Sequence, residues 1–415
     1  MKAATELGIS PDLVPLALFF VTCVTVWSLV ALVFTAVALK ATRKLLRAAN
    51  ANVAGTPWPA LAILRPCAGL DPELEANLLS TLTARYDGAR ELYVLVASES
   101  DPAHAVAERV RERGLVMAPS IPMHVVITDI RTNYNRKVAQ LGRAQDLSTA
   151  PVVVVVDSDL HLQDATLPSL VAALLADPKA GAASCPPVDV RTDTLGDRAS
   201  SALLSSTPHA FYCLAALAER SGGAHVLCGA LIAVHRRVLD ELGGFVALER
   251  YLGEDFELAR LLHERGYTIP TAAAPGQVTD HGRTLRSVIQ RFARWATVTR
   301  QQRPHLMVTY PLLIACTPLV LLSTALLGNA PYAWVPTVVT TGFLAVRTAL
   351  AMQLRRAYGL PAGILGSLLA MLLGECTVLV SAAGALGRPV VGWRGQRYRI
   401  GRGGFIELLP PAPEP

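Results

Sequence analysis

Asp157-Ser158-Asp159 follows five consecutive valines, Val152 to Val156. So apolar a run reads as a strand buried on both faces, and one that ends in Asp-x-Asp carries two carboxylates to the edge of a sheet. Hard oxygen ligands of this kind suit Mg2+ or Mn2+, which in turn would hold a diphosphate. Aspartates also end strands and cap helices without any metal. Their place directly after such a strand is what makes Asp157 and Asp159 candidate metal and diphosphate ligands.

Two further groups carry chemistry. Gly243-Gly244-Phe245 precedes Leu252-Gly253-Glu254-Asp255-Phe256-Glu257-Leu258. The glycines allow a tight turn, and Glu254 and Asp255 fall at a helix N-terminus, where the dipole favours carboxylates. A carboxylate there can take a proton from an attacking hydroxyl. The acidic pair thus supplies a candidate base; the Glu254 side chain is expected to point away along the helix and Glu257 to be solvated. The last group is Gln290-Arg291-Phe292-Ala293-Arg294-Trp295. Arg291 and Arg294 share a helix face, a guanidinium can stabilise a departing diphosphate by paired hydrogen bonds, and Trp295 suits a membrane interface.

The elements that must position these groups alternate. Leu61–Leu64, Glu91–Val96, Met123–Thr128 and Val152–Val156 read as strands, with helices over Pro72–Ala84, Pro102–Arg113 and Asn135–Leu147. Apolar strands joined by helices predict an α/β domain with a mostly parallel sheet, which binds ligands beyond the carboxyl ends of its strands.

Apolar segments flank this domain. Leu13 to Leu39 is free of charge, enough for a spanning helix of roughly 40 Å. Lys40, Arg43, Lys44 and Arg47 follow it instead of a cleavage site, so the segment reads as an uncleaved anchor with the domain on the cytoplasmic side of the inner membrane. Thr284–Arg300 is basic and amphipathic and predicts a helix lying in the interface. Met307–Leu327, Tyr332–Met352 and Pro361–Leu386 are three more apolar runs, and Arg347 and Glu375 within them are expected to pair. Three full spans would put the tail outside, yet Arg388, Arg394, Arg397, Arg399 and Arg402 favour the inside. One of the three is therefore expected to be re-entrant or interfacial. The expected organisation is an anchor over 1–50, the α/β domain over 51–282 and an interfacial helix over 283–306. Membrane segments over 307–387 and a basic tail over 388–415 complete it.

Composition agrees, with 52% apolar and only 17% charged residues. The seven cysteines form no CxxC pair, which argues against a zinc site or a disulfide framework. The net charge of +6 lies largely beside apolar segments, so an anionic lipid bilayer, not nucleic acid, is the expected partner.

The three chemical groups, in this order, resemble lipid-acting glycosyltransferases of the GT-A superfamily. The closer resemblance is to the ceramide glucosyltransferase family, of glycosyltransferase family 2/21 type, and its bacterial relatives, including hopanoid-associated glycosyltransferases. It extends to Arg65-Pro66, Gly69-Leu70-Asp71-Pro72, Ser100-Asp101-Pro102-Ala103, Asn135-Arg136-Lys137 and the tail Trp393-Arg394-Gly395-Gln396-Arg397-Tyr398-Arg399, and covers nearly the whole chain.

The resemblance implies a Rossmann-like GT-A domain and an inverting hexosyltransferase. The donor would be a nucleotide-sugar, UDP-glucose or UDP-N-acetylglucosamine, and the acceptor the hydroxyl of a membrane lipid, ceramide-like or hopanoid. It implies Asp157 and Asp159 as ligands of Mg2+ or Mn2+ and of the diphosphate, Asp255 as base, Arg291, Arg294 and Trp295 as the (Q/R)xxRW element, and Lys137 near the nucleotide. The family's base-reading aspartate corresponds to Ser98, with Glu99 and Asp101 as nearby carboxylates. Its histidine before proline is Thr207 here; His209 reads as a surface histidine, and His281 is a candidate to face the metal. A nucleotidyltransferase would share the sheet and the metal carboxylates but leaves Asp255 and the arginine-tryptophan helix without a role. A membrane scaffold or transporter leaves the ordered acidic motifs without one.

Overall fold

The computed structural model describes residues 13–49, 58–130, 134–221, 226–387 and 389–410. Arg388 lies outside them. A 36-residue helix, α1 (Val14–Ala49), comes first. The α/β part follows as β1 (Leu61–Pro66), α2 (Leu74–Thr83), β2 (Arg90–Val96), α3 (Pro102–Met117), β3 (Met123–Ile127), α4 (Arg136–Ala144) and β4 (Val152–Val156). It continues through β5 (Leu160–His161), α5 (Thr166–Ala176), β6 (Ala182–Ser184), β7 (Pro187–Asp189), α6 (Leu195–Ser206) and α7 (Phe211–Ser221). β8 (Leu231–His235), α8 (Arg236–Glu241), α9 (Glu254–Glu264) and β9 (Gly276–Val278) complete it.

The strands stand where the sequence pattern put them. Helix α3 runs past its expected end at Arg113, because Gly114 is buried against Leu82 instead of breaking the helix. Helix α4 stops earlier, and Gln145–Leu147 goes on as a 3-10 turn.

One sheet has the order β3-β2-β1-β4-β8-β6. β3, β2, β1 and β4 are parallel, while β8 runs antiparallel between β4 and β6. Because side chains alternate along a strand, Val152, Val154 and Val156 enter one core with Leu78 and Leu170, from α2 and α5. Val153 and Val155 enter the other with Leu141 and Leu258, from α4 and α9. Burial on both faces is why β4 tolerates no polar residue until Asp157. A small sheet of β5, β9 and β7 lies beyond that point.

The remainder comprises α10 (Leu285–Gln302), α11 (Thr317–Leu326), α12 (Trp334–Ala357), α13 (Ile364–Gly384) and an antiparallel sheet of β10 (Val390–Trp393), β11 (Gln396–Ile400) and β12 (Ile406–Leu409). Among the described residues α1, α12 and α13 are long and apolar enough to cross a bilayer, while 304–314 and α11 form a pair bent by 54°. Such a break frees backbone groups that lipid cannot satisfy. The buried pair Arg347–Glu375, 2.8 Å apart as the sequence pattern anticipates, satisfies them. Arg347 donates to the carbonyls of Leu313 and Ile314 before the break and to Thr35 on α1. Glu375 accepts from the N–H and hydroxyl of Thr317 after it.

The tail sheet folds back onto the α/β domain. Tyr398, Ile400 and Ile406 pack with Val298 of α10, and the Ile406 N–H donates to the carbonyl of Arg250. Between the domain and the tail sheet, α12 and α13 are long and apolar enough to cross, and the bent pair has the form of a broken span or a re-entrant loop. Helix α10 lays its apolar residues Val288 and Phe292 against α6 and α13, so its stripe faces protein. Close approach of α13 to α6 requires Gly374, where a Cβ would meet the Ala202 backbone at 2.9 Å.

Candidate active site

The Asp157–Asp159 turn is held from below by a buried arginine. Arg65, fully buried on β1, donates to the carbonyls of Asp157 (2.8 Å), Leu160 (2.7 Å) and Asn77 (2.8 Å) and to the hydroxyl of Thr81. Burial lowers its pKa to about 10, which leaves it charged. Asn77 donates to the Ser158 carbonyl at 3.0 Å, and the Ser158 hydroxyl donates to Asp71. The backbone of this turn is thereby fixed, while the Asp159 side chain accepts no hydrogen bond from the described residues.

Beside it lies a shared lysine. Lys137, one residue into α4, sits 2.7 Å from Asp157 and 3.0 Å from Glu254 and donates to the Gly229 carbonyl. Asn135 caps α4 through the Val138 N–H and donates to Glu254 at 3.1 Å. Burial opposes the Lys137 charge, yet Asp157 and Glu254 hold its pKa above the ordinary value. Burial likewise raises Asp157 to about 6 against the pull of Lys137, with Asp159 adding to the rise.

Asp255 opens α9. Its carboxylate accepts from the Gly229 N–H at 3.2 Å and from the Phe256 N–H at 2.8 Å. Gly229 must be glycine-like to come so near, since a Cβ there would lie 3.0 Å from that of Asp255. Burial, then the neighbouring Glu254 charge, raises the Asp255 pKa to about 6. A carboxyl poised near neutrality suits a base.

All of these groups open into one cavity of about 710 Å³. One end is charged, with Asp157, Asp159, Lys137, Asp255, Arg294 and Arg394. The other is apolar and aromatic, with Phe211, Leu214, Trp295, Leu306, Tyr310 and Ile314, the last three within the bent segment. Arg291 lies over the Trp295 ring at 5.3 Å and also lines the cavity. Among the described residues Arg294 donates only to the Gly392 carbonyl, at 3.4 Å, and its pKa falls to about 10 through burial and then the nearby Arg291 and Arg394 charges. Among the described residues, neither Arg291 nor Arg294 is paired with a carboxylate, so the cavity holds cationic groups free for an anion.

Several expectations need correction. Glu254 does not point away; it lines the cavity, because Lys137 and Asn135 draw its carboxylate inward. Glu257 is buried, not solvated, since Arg260 one turn on closes over it at 2.6 Å. His209 is no surface histidine: it lines the apolar end beside Phe292 and Tyr310, with an enclosed, unpartnered Nδ1, and burial drops its pKa to about 4. Thr207 is buried instead, its hydroxyl bonded to the Leu203 carbonyl.

Ser98 and Glu99 stand outside the lining, where Ala97 and Asp101 take their place; Ser98 is hydrogen-bonded to Ser100. Asp101 in turn caps α3 and accepts from the Gly69 N–H. His281 is hydrogen-bonded to the Thr279 carbonyl, and its neighbour Asp280 faces the cavity. Sequence reasoning missed the work of Arg65, Asn77, Asp71 and Gly229. Arg65 alone left a signal, a charge within an apolar strand.

Among the described residues, no three His, Cys, Asp or Glu side chains cluster closely enough to hold a metal unaided. Asp157 and Asp159 still fit Mg2+ or Mn2+, since such ions commonly take one or two carboxylates and complete their shell with water and phosphate oxygens.

An α/β sheet whose strand ends open onto a cavity shared with α10 and the apolar segment 304–314 is the frame of an enzyme site. The comparisons say which: glycosyl transferase family 21 matches residues 23–406, and the chain belongs to that family. Ceramide glucosyltransferase 1 of Caenorhabditis elegans is 24% identical over 61% of this chain and 53% of its own. The chain thus spans about half the length of that relative. Ceramide glucosyltransferase 3 of the same organism is 21% identical over 85% of this chain and 75% of its own. Among solved structures, a mannosyltransferase from Pyrobaculum calidifontis in complex with GDP-Man and Mn2+ is 19% identical, covering 87% of this chain and 99% of that one, with a TM-score of 0.43. Glucosyl-3-phosphoglycerate synthase from Mycobacterium tuberculosis, with Mg2+ and uridine diphosphate, is 19% identical over 60% and 80%, with a TM-score of 0.36.

Proposed function

We propose that this protein is an inverting glycosyltransferase moving a hexose, from UDP-glucose or UDP-N-acetylglucosamine, onto the hydroxyl of a membrane lipid of ceramide or hopanoid type. The observation that carries the reading is the single cavity whose charged end suits a nucleotide diphosphate and whose apolar end suits a lipid chain. The α/β domain and the tail sheet face the cytoplasm at the inner membrane. The basic residues after the first span, Lys40, Arg43, Lys44 and Arg47, support that orientation.

Each residue then has a task. Asp157 and Asp159 hold Mg2+ or Mn2+, whose positive charge offsets that of the diphosphate. Lys137 keeps Asp157 oriented. Asp255 takes the proton of the lipid hydroxyl as its oxygen attacks the anomeric carbon from the face opposite the leaving group. The bond from that carbon to the diphosphate oxygen breaks, and its electron pair stays with UDP. Arg291 and Arg294 stabilise that charge, and Trp295 forms the wall against which the lipid end lies.

The experiment is UDP release by the purified protein in lipid nanodiscs, with several UDP-sugars and with ceramide or hopanoid acceptors. The expected result is acceptor-dependent UDP release matched by a glycolipid whose mass is raised by one sugar. Donor consumption without any glycolipid would contradict the reading.

A further inference from the structure

The tail motif has no role in the reaction so far, yet its tip enters the site. Strands β10 and β11 pair Trp393 with Gln396, leaving Arg394-Gly395 as a two-residue turn. Both residues have positive φ, 46° and 75°, as a type I′ turn requires. Glycine adopts that region freely, but arginine does so at some cost, and asparagine is the residue the turn would favour. Arginine at this position answers to something other than turn formation. Its guanidinium donates to both carboxylate oxygens of Asp71, at 3.1 and 3.3 Å, and to the Ala68 carbonyl at 2.9 Å. The two partners are 323 positions apart in the chain.

Asp71 is also the acceptor for the Ser158 hydroxyl, and Ser158, 3% exposed, is the middle residue of Asp157-Ser158-Asp159. We infer that Arg394 is a positioning residue for the donor site, acting through Asp71 on Ser158 to set the two carboxylates that flank it. The inference rests on the proposed glycosyl transfer and adds that the C-terminal hairpin is a working part of its donor end. Arg65 and Asn77 fix the backbone of the turn from below; Arg394 and Asp71 hold the Ser158 side chain from above. A bidentate guanidinium–carboxylate pair is suited to this, because two parallel bonds set direction as well as distance. The tail sheet is docked independently through Tyr398 and Ile406, so loss of the Arg394 side chain leaves its anchorage in place.

The test uses the full chain in nanodiscs, with Arg394→Asn, Arg394→Lys, Asp71→Asn and the double variant Arg394→Asn/Asp71→Asn. Asparagine keeps the turn and cannot reach Asp71, and an unchanged melting temperature would verify that the fold survives. The readouts are binding of UDP with Mn2+ by calorimetry, and KM for donor and for lipid. Arg394→Asn and Asp71→Asn should each weaken UDP–Mn2+ binding and raise donor KM roughly tenfold, the scale of a charge-assisted bond in a partly exposed site. Lipid KM should stay at the wild-type value. Lysine should restore part of the loss, and the double variant should be no worse than the weaker single one, as for residues acting in series. Arg399→Ala, which removes a tail arginine paired with Glu407 away from the site, should leave donor KM unchanged.

Wild-type UDP–Mn2+ binding in Arg394→Asn, a loss confined to lipid KM, or fully additive effects in the double variant would overturn the inference. Failure of the glycosyltransferase reading would show differently, as absence of glycolipid from the wild-type protein, and the binding measurement decides the inference in either event.

Discussion

The charges of the helical bundle and those of the cavity are built on opposite principles. In the membrane bundle Arg347 and Glu375 are 1% and 0% exposed and face each other one to one. Their remaining polar atoms go to Thr35, Thr317 and the carbonyls of Leu313 and Ile314. At the sheet edge, Asp157 and Glu254 share one lysine, Asp159 and Asp255 line the same cavity without an ion pair among the described residues, and neither Arg291 nor Arg294 meets a carboxylate among them. The first set is closed and holds a broken helix in shape. The second is left open, and an open set of charges in a cavity is the state a ligand completes. Burial of charge thus marks function only where the partners do not add up.

The largest expected effect breaks the closed set. Glu375→Ala leaves Arg347 buried without its counter-charge, a loss of about 3–5 kcal/mol. It should show as a sharply lowered melting temperature or loss of folded protein from the membrane. Glu375→Ala with wild-type stability would mean the bundle does not depend on the pair, and the contrast would fail.

Next come the open carboxylates. Asp159→Ala should weaken divalent-metal and UDP binding together while leaving the melting temperature near that of wild type, since its side chain supports nothing else among the described residues. Calorimetry with UDP, with and without chelator, checks both. UDP affinity indifferent to the substitution and to chelator would remove the metal from the account.

A smaller effect is expected from Arg294→Lys. A point charge cannot reproduce the planar fork at a diphosphate, so transfer should fall by roughly tenfold, the scale of one charge-assisted bond. Full activity would reduce α10 to a packing element.

Much of this contrast was legible beforehand, and for a physical reason. A strand buried on both faces announces itself by composition, so β4 and the acidic turn at its end could be read from Val152 to Asp159. Arg347 and Glu375 stood out because charge within apolar runs must be compensated. Long-range partners leave no such local trace. Nothing around Asp71 or Arg394 foretells contact between them, and nothing at Glu254 says that Lys137 will turn it inward. Helix α6 escaped notice because its alanines and serines, packed close against α13 at Gly374, are buried nearly all round. His209 was misjudged for want of the fold, which encloses it between Phe292 and Tyr310.

Asp255 bears the central claim, that the open charges do the chemistry. The direct measurement is the single-turnover rate of sugar transfer with donor and lipid both saturating, in wild type and Asp255→Asn, across pH. Burial lifts the Asp255 pKa to about 6, so the carboxylate is a base above that pH and is protonated below it. The wild-type rate should therefore be full well above pH 6, half-maximal near it, and fall further as pH drops. Asp255→Asn should bind the UDP-sugar within a few-fold of wild type, melt at the same temperature, and transfer roughly 10²- to 10⁴-fold more slowly, the usual contribution of a positioned base. Near-normal transfer by Asp255→Asn, with the acid limb of the pH profile unchanged, would contradict the account.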